Sequence, residues 1–218
     1  MIDLKKLRII DLSAEIQPGV LKVNGEYVHG KGPRRFELRQ FIYAPDKCLM
    51  HWVDTETHIG THVELPAHLT DGAKSCSEMP AETFIGEAIV LKFDLLRPKD
   101  GEGQPVTTSH LGKVKAGDVV LMWSPYEGRE APYISPEAAK WLAERKVKMI
   151  GIQGVKVEAP GGSMATHQNM LKNDIPIVEG LANLQEIKKD RIFYIGLPLK
   201  VANLDSSWIR AIALESPS

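Results

Sequence analysis

The chain has 218 residues, 43% of them hydrophobic and 25% charged, and a formal net charge of −1. That length is ample for a sizeable core, and near-neutrality removes the electrostatic basis for a nucleic-acid or anionic-membrane partner. No window approaches the roughly 20 apolar residues that span a bilayer. The opening residues mix charged and apolar side chains and lack the apolar run of a secretory leader. Two cysteines, Cys48 and Cys76, do not make a disulfide scaffold. The expected setting is therefore the cytoplasm.

Short apolar runs bounded by turn signals dominate the chain. Residues 7–12 read as the first strand, and much of 17–35 reads as a polar loop. Residues 88–93 form a second buried run, 99–105 a polar loop, and 107–111 a short helical turn before the strand at 118–123. Ser135-Pro136-Glu137 opens the clearest helix: serine as N-cap, proline at the first helical position, glutamate in the first turn. It runs to about Lys146, with Ala138, Trp141 and Leu142 on the buried side. A strand at 148–152, a shorter helix over 163–173, a helix starting near Asn183, a strand at 191–195 and a final strand at 208–214 complete the reading. Many strands with few, irregularly placed helices predict a single α+β domain over 1–218 rather than a regular βαβ wind.

The chemistry concentrates in His58-Ile-Gly-Thr-His62-Val-Glu64-Leu-Pro-Ala-His68, which holds three of the chain's seven histidines. As a helix, His58 and His62 share a face but Glu64 and His68 point elsewhere. Gly60, Pro66 and the β-branched residues also disfavour a helix. As extended chain, all four side chains project to one side, yet His58 and His68 would stand about 33 Å apart. Gly60 permits a kink and Pro66 favours ending the strand. A bent strand would gather His58, His62 and Glu64 around one ion and leave His68 at its open side. Two imidazoles and a carboxylate suit Zn²⁺, Mn²⁺ or Fe²⁺ better than Ca²⁺ or Mg²⁺. A histidine outside the ligand set can then move protons near neutral pH.

A second constellation lies downstream. His167 sits in the short helix, and Glu179 closes an apolar run just before Gly180, at the end of an element where sites are commonly built. Of the other histidines, His51 could face the pocket, while His29 and His110 carry no pattern. Asp54 and Glu56 share parity with the motif. Gly161-Gly162-Ser163 could offer backbone N–H groups to an oxyanion. Trp52, Trp123 and Tyr126 could wall a substrate pocket, and Cys76 lies close to the motif in sequence.

HIGTHVELPAH resembles HxGTHxDxPxH, the signature of the cyclase family of metal-dependent hydrolases, which includes bacterial kynurenine formamidase and isatin hydrolase. Ile10-Asp11-Leu12-Ser13, the run from Ile177 to Leu184, and Gly196 through Arg210 resemble further family segments. The resemblance implies a swivelling β/β/α fold with a mixed, barrel-like sheet and few helices, assembled as a homodimer or higher homo-oligomer. It also implies that His58, His62 and Glu64 bind a first divalent metal, Zn²⁺ or Mn²⁺. His167 and Glu179 then complete a second site, and His68 is the general acid/base. Glu64 replaces the signature's aspartate, moving the carboxylate by roughly 1.5 Å, so a single ion or altered spacing is expected. Glu158 stands where the family more often has aspartate, as a group beside the ligands or the substrate.

The expected activity is hydrolysis of a small-molecule substrate, a formamide, cyclic amide, ester or lactone, by metal-activated water with His68 moving the proton. A metal-dependent lyase or cyclase, and a metal-binding protein without catalysis, are the alternatives.

Overall fold

The computed structural model of the chain describes residues 6–23, 26–27, 34–43, 45–162 and 164–216. It divides into two compact units, Met1–Ala14 with Gly60–Ser218, and Glu15–Ile59. The larger unit begins with β1 (Arg8–Asp11). The smaller contains β2 (Gly19–Val23), β3 (Glu26–Tyr27), β4 (Arg34–Ile42) and β5 (Leu49–Asp54), an antiparallel sheet ordered β3-β2-β4-β5. Strands therefore occupy part of the stretch read as polar loop over 17–35. Pairing of β2 against β4 supplies the hydrogen bonds there, and such tertiary pairing overrides a weak local pattern.

The larger unit continues with β6 (His62–Glu64), α1 (Pro66–Leu69), β7 (Ile85–Lys92), β8 (Pro105–Val106), β9 (Val119–Trp123) and β10 (Tyr133–Ile134). Then follow α2 (Pro136–Glu144), β11 (Met149–Gln153), α3 (Ala165–Leu171), β12 (Ile177–Glu179), β13 (Arg191–Ile195), β14 (Ser206–Trp208) and β15 (Ile212–Glu215). Nine strands form one sheet, ordered β1-β15-β13-β7-β9-β11-β12-β6-β14. Its centre, β7-β9-β11-β12, is parallel and both wings are antiparallel. This is the α+β architecture expected, with three α-helices and several 3-10 turns among the described residues.

The central strands are apolar along their buried stretches because both faces are covered there. Ala88, Val90, Val119, Leu121 and Met149 pack on one side with Val63, Leu65, Val178 and Tyr194. Ile89, Leu91, Val120, Met122, Ile150 and Ile152 pack on the other against Ala138, Ala139 and Leu142 of α2 and Met170 and Leu171 of α3. Ser135 caps α2 as expected, its Oγ accepting the Ala138 N–H at 3.1 Å. Trp141 is only partly buried, under the Arg145 guanidinium 4.8 Å from the ring centre. No helix among the described residues is long and apolar enough to cross a membrane.

Two further expectations are corrected. The final strand is two strands: β14 lies at one edge of the sheet and β15 beside β1 near the other. In a flat sheet those positions would be roughly 34 Å apart at about 4.8 Å per strand, whereas the chain from Trp208 to Ile212 reaches at most roughly 14 Å. The sheet must curl to bring its ends together. Across the seam, Ile209 N–H donates to Thr61 O at 3.1 Å and Leu12 N–H to Ala211 O at 2.8 Å. The helix expected near Asn183 is a 3-10 turn, Leu184–Glu186, entered through left-handed backbone at Asn183 (φ 59°).

Leu142 is fully buried between α2 and the sheet. Leu142→Ala is expected to cost about 2–5 kcal/mol, read as a lowered urea midpoint with an unchanged slope.

Candidate metal centre

The site is built on β6, a three-residue strand hydrogen-bonded between β12 and β14. Gly60 (φ 57°) turns the chain into it, and Gly180 (φ 66°) turns the chain out of β12. The two glycines meet: a Cβ on Gly180 would lie 2.3 Å from Gly60 O. Thr61 ties the junction, its Oγ1 donating to Gly180 O at 2.6 Å and accepting from Ala14 N–H at 2.8 Å. The register places Ile177, Glu64 and Ser206 in one row and Glu179, His62 and Trp208 two rows away. Residues two apart on a strand share a face, so His62, Glu64 and Glu179 project together. Each offers a ligand atom, and these atoms lie within 4.8 Å of one another.

β6 ends at Glu64, and Pro66 starts the helical turn α1, which carries His68. His68 thus reaches the cluster from a turn, where extended chain would have carried it away. Its Nε2 is 3.9 Å from Glu64 Oε1, and its Nδ1 is 3.0 Å from Asp205 Oδ2. His62 Nε2 lies 3.6 Å from the same Glu64 oxygen. The other carboxylate oxygen, Oε2, is 3.0 Å from Nε2 of His167, delivered by α3. Glu64 thus stands between imidazoles with both oxygens engaged, the longer side chain serving two directions at once. His58, the first histidine of the motif, belongs to the smaller unit.

The nitrogens that face away from this centre are held by other groups. His62 Nδ1 is 3.0 Å from Gly60 O, and His167 Nδ1 is 2.7 Å from Glu158 Oε1. Such partners fix the ring and its tautomer and turn Nε2 towards the cluster. Glu158 also accepts the N–H groups of Thr166 (3.2 Å) and His167 (2.9 Å) at the start of α3. Those two donors are accordingly taken, which weighs against an oxyanion site after Gly161-Gly162. Ser163 lies outside the described residues.

Burial works against a charged His167, but hydrogen bonds to Glu158 and Glu64, with the nearby Glu179 charge, outweigh it and raise its pKa to about 9. Burial opposes ionisation of Glu158 too, yet its hydrogen bonds to His167 and Thr166 hold it below the ordinary value. Burial pushes the Cys76 thiol up to about 11, so it stays protonated near neutral pH and is a poor nucleophile. Elsewhere, His110 closes the capping box with Thr107, His51 lies beside Gln40 on the exposed β4–β5 ribbon, and His29 falls outside the described residues. Trp123 packs against the core, Tyr126 donates to Asp94 O at 3.2 Å, and Trp52 stacks on Phe41. Asp205 had no signal in the sequence: it is one acid before a short strand, 137 residues from the histidine it touches.

The donor set fits a divalent cation. His62 groups with the carboxylates of Glu64 and Glu179, His167 Nε2 meets the other oxygen of Glu64, and the far side of each ring is braced. A curled α+β sheet presenting such a centre, with a further histidine at its rim, defines a metal-dependent hydrolase. The chain belongs to the cyclase family, whose model matches residues 10–159. It is 29% identical over 217 residues to kynurenine formamidase of Erythrobacter litoralis, covering 96% of this chain and 95% of that protein. Against kynurenine formamidase of Bordetella petrii it is 28% identical over 167 residues, covering 72% and 77%. Isatin hydrolase A from Labrenzia aggregata superposes with a TM-score of 0.77 at 20% identity over 98% of this chain and 95% of that one, a likeness of fold.

Glu158→Ala should weaken metal binding by roughly 10–100-fold, measured by competition against a chelator of known affinity. In metal-free protein, the raised His167 pKa adds stability that is full below 6.5 and is lost as pH rises through about 9. The melting temperature of chelator-treated protein should fall across that window, and His167→Gln should flatten the fall.

Proposed function

We propose that this chain hydrolyses an amide bond, of the formamide or cyclic-amide type, with lactones as related substrates. The observation that carries the reading is the donor group of buried His62 and Glu64 with part-buried Glu179, and half-buried His68 beside Glu64. The residues that would hold the metal are His58, His62, Glu64, His167 and Glu179, with Glu64 standing between His62 and His167. His58 enters this set on the family motif. A bound Zn²⁺ or Mn²⁺ would supply the Lewis acidity that polarises a carbonyl and makes water nucleophilic near neutral pH.

The remaining chemistry falls to the protein. His68 Nε2, on the Glu64 side of the ring, takes a proton from the attacking water and returns it to the departing nitrogen or oxygen. The braces on His62 and His167 hold their donor atoms in place while charge develops at the carbonyl oxygen. Kynurenine formamidase relatives support the amide class. The family match runs across both compact units, which supports one functional domain over 1–218. We read the working form as a homodimer or higher homo-oligomer; the exposed Leu38, Met50, Trp52 and Val53 of the β4–β5 ribbon support this, and light scattering tests it. Two free cysteines favour a cytoplasmic setting.

Metal-loaded protein, with chelated protein as control, should cleave at least one of N-formyl anilides, isatin or simple lactones. Failure on all of them with metal tightly bound would favour binding without catalysis. His68→Ala should abolish turnover, a loss of at least about 100-fold, while elemental analysis finds the metal retained. Loss of metal would make His68 a ligand instead. Glu64→Ala should lose both metal and activity.

A further inference from the structure

The Oδ2 of Asp205 stands 3.0 Å from Nδ1 of His68. A carboxylate accepts and does not donate, so the hydrogen between them sits on Nδ1. In a neutral imidazole this leaves Nε2 bare, its lone pair directed away from Asp205. Nε2 is the nitrogen on the Glu64 side of the ring, 3.9 Å from Oε1. The hydrogen bond therefore selects the form of His68 that can accept a proton at the cluster.

The chain holds this acid against the same frame that carries the histidine. Leu65 N–H, just before α1, donates to Asp205 O at 3.0 Å. Cys76 N–H, beyond α1, donates to Leu204 O at 3.0 Å. The segment bearing Asp205 is thus stitched to the chain on both sides of the turn that bears His68. The pair has an inner and an outer end: the side chains of His68 and Asp205 are 28% and 38% exposed, against 6% for Glu64. Solvent reaches Asp205, while the working nitrogen faces the buried group.

We propose that Asp205 is a positioning residue, holding His68 as the Nδ1–H tautomer so that Nε2 serves as the base. The proposal rests on the hydrolase reading above. During the cycle the water proton moves to Nε2, the imidazolium keeps its Nδ1–H on the Asp205 carboxylate, and the proton on Nε2 passes to the departing atom. Asp205 remains ionised throughout. An isosteric asparagine offers an N–H₂ to Nδ1 and so permits the opposite tautomer, whose Nε2–H cannot accept.

Long-range ¹H–¹⁵N correlation of histidine-labelled, Zn²⁺-loaded protein reads the tautomer directly, with His68→Gln supplying the assignment. The expected result is Nδ1–H with bare Nε2 in the unsubstituted protein, and population of Nε2–H in Asp205→Asn. On whichever amide the unsubstituted enzyme cleaves, Asp205→Asn should lower kcat by at least about 100-fold, with KM and zinc content unchanged, and Asp205→Glu should recover part of the loss. An Nε2–H tautomer in the unsubstituted protein would overturn the proposal, as would an Nε2 resonance shifted by zinc or an Asp205→Asn variant with undiminished kcat. The first two readings are made on the unsubstituted protein and need no substrate. A protein that cleaves nothing would sink the hydrolase reading while the tautomer still decides the role of Asp205.

Discussion

Glu64 is a carboxylate at 4% exposure inside a sheet, and a buried charge persists only where partners replace the water it has lost. Its surroundings read as the set of such partners. His62 and His68 face one oxygen, and His167 binds the other. Glu179 brings a second negative group to the same face, which raises the demand for positive charge. In the bare protein part of that demand falls on protonated His167. A divalent cation would meet it more fully, and would take the place of the proton.

Delivering these groups to one point is the work of the mixed sheet. The parallel centre, covered on both faces, gives a rigid slab, and its last parallel strand, β12, carries Glu179. β6 then docks antiparallel on β12, which aligns His62 with Glu179 in register. β14 closes over β6 from the other side and brings Asp205 with it. Imprecision in any of these pairings would be costly, because a slip of one residue turns a strand's side chains to the opposite face. The Gly60–Gly180 contact guards against it, since no side chain fits between the two backbones.

Much of this was legible in the sequence where the information is local. Parity alone placed His62 and Glu64 on one side, Gly60 gave the kink, and Pro66 marked the strand's end. The buried parallel strands were visible as unbroken apolar runs, and the Ser135-Pro136 start of α2 followed from capping rules. Where pairing rather than pattern decides, the reading failed. β2 and β3 lack a strong apolar alternation, and their ladder comes from neighbours. The tail looked like one strand because nothing in Ile209-Arg210-Ala211 signals a break; the closing of the curl makes it. Glu158 was identified as a nearby acid, but that it grips both the ring and the backbone of His167 needed coordinates. Asp205 was invisible, since its partner lies in a distant part of the chain.

The position of β14 also governs when the site can exist. His62, Glu64, Glu158, His167 and Glu179 are all present in a growing chain before residues 205–208 are made. Until that late segment pairs with β6, one flank of the strand stays open and water surrounds the carboxylate that the finished fold encloses. Joining such remote segments carries a loop-closure cost that must be met before the contact repays it. Enclosure of the Glu64 carboxylate, on which a metal site here would depend, therefore waits on a segment made near the end of the chain.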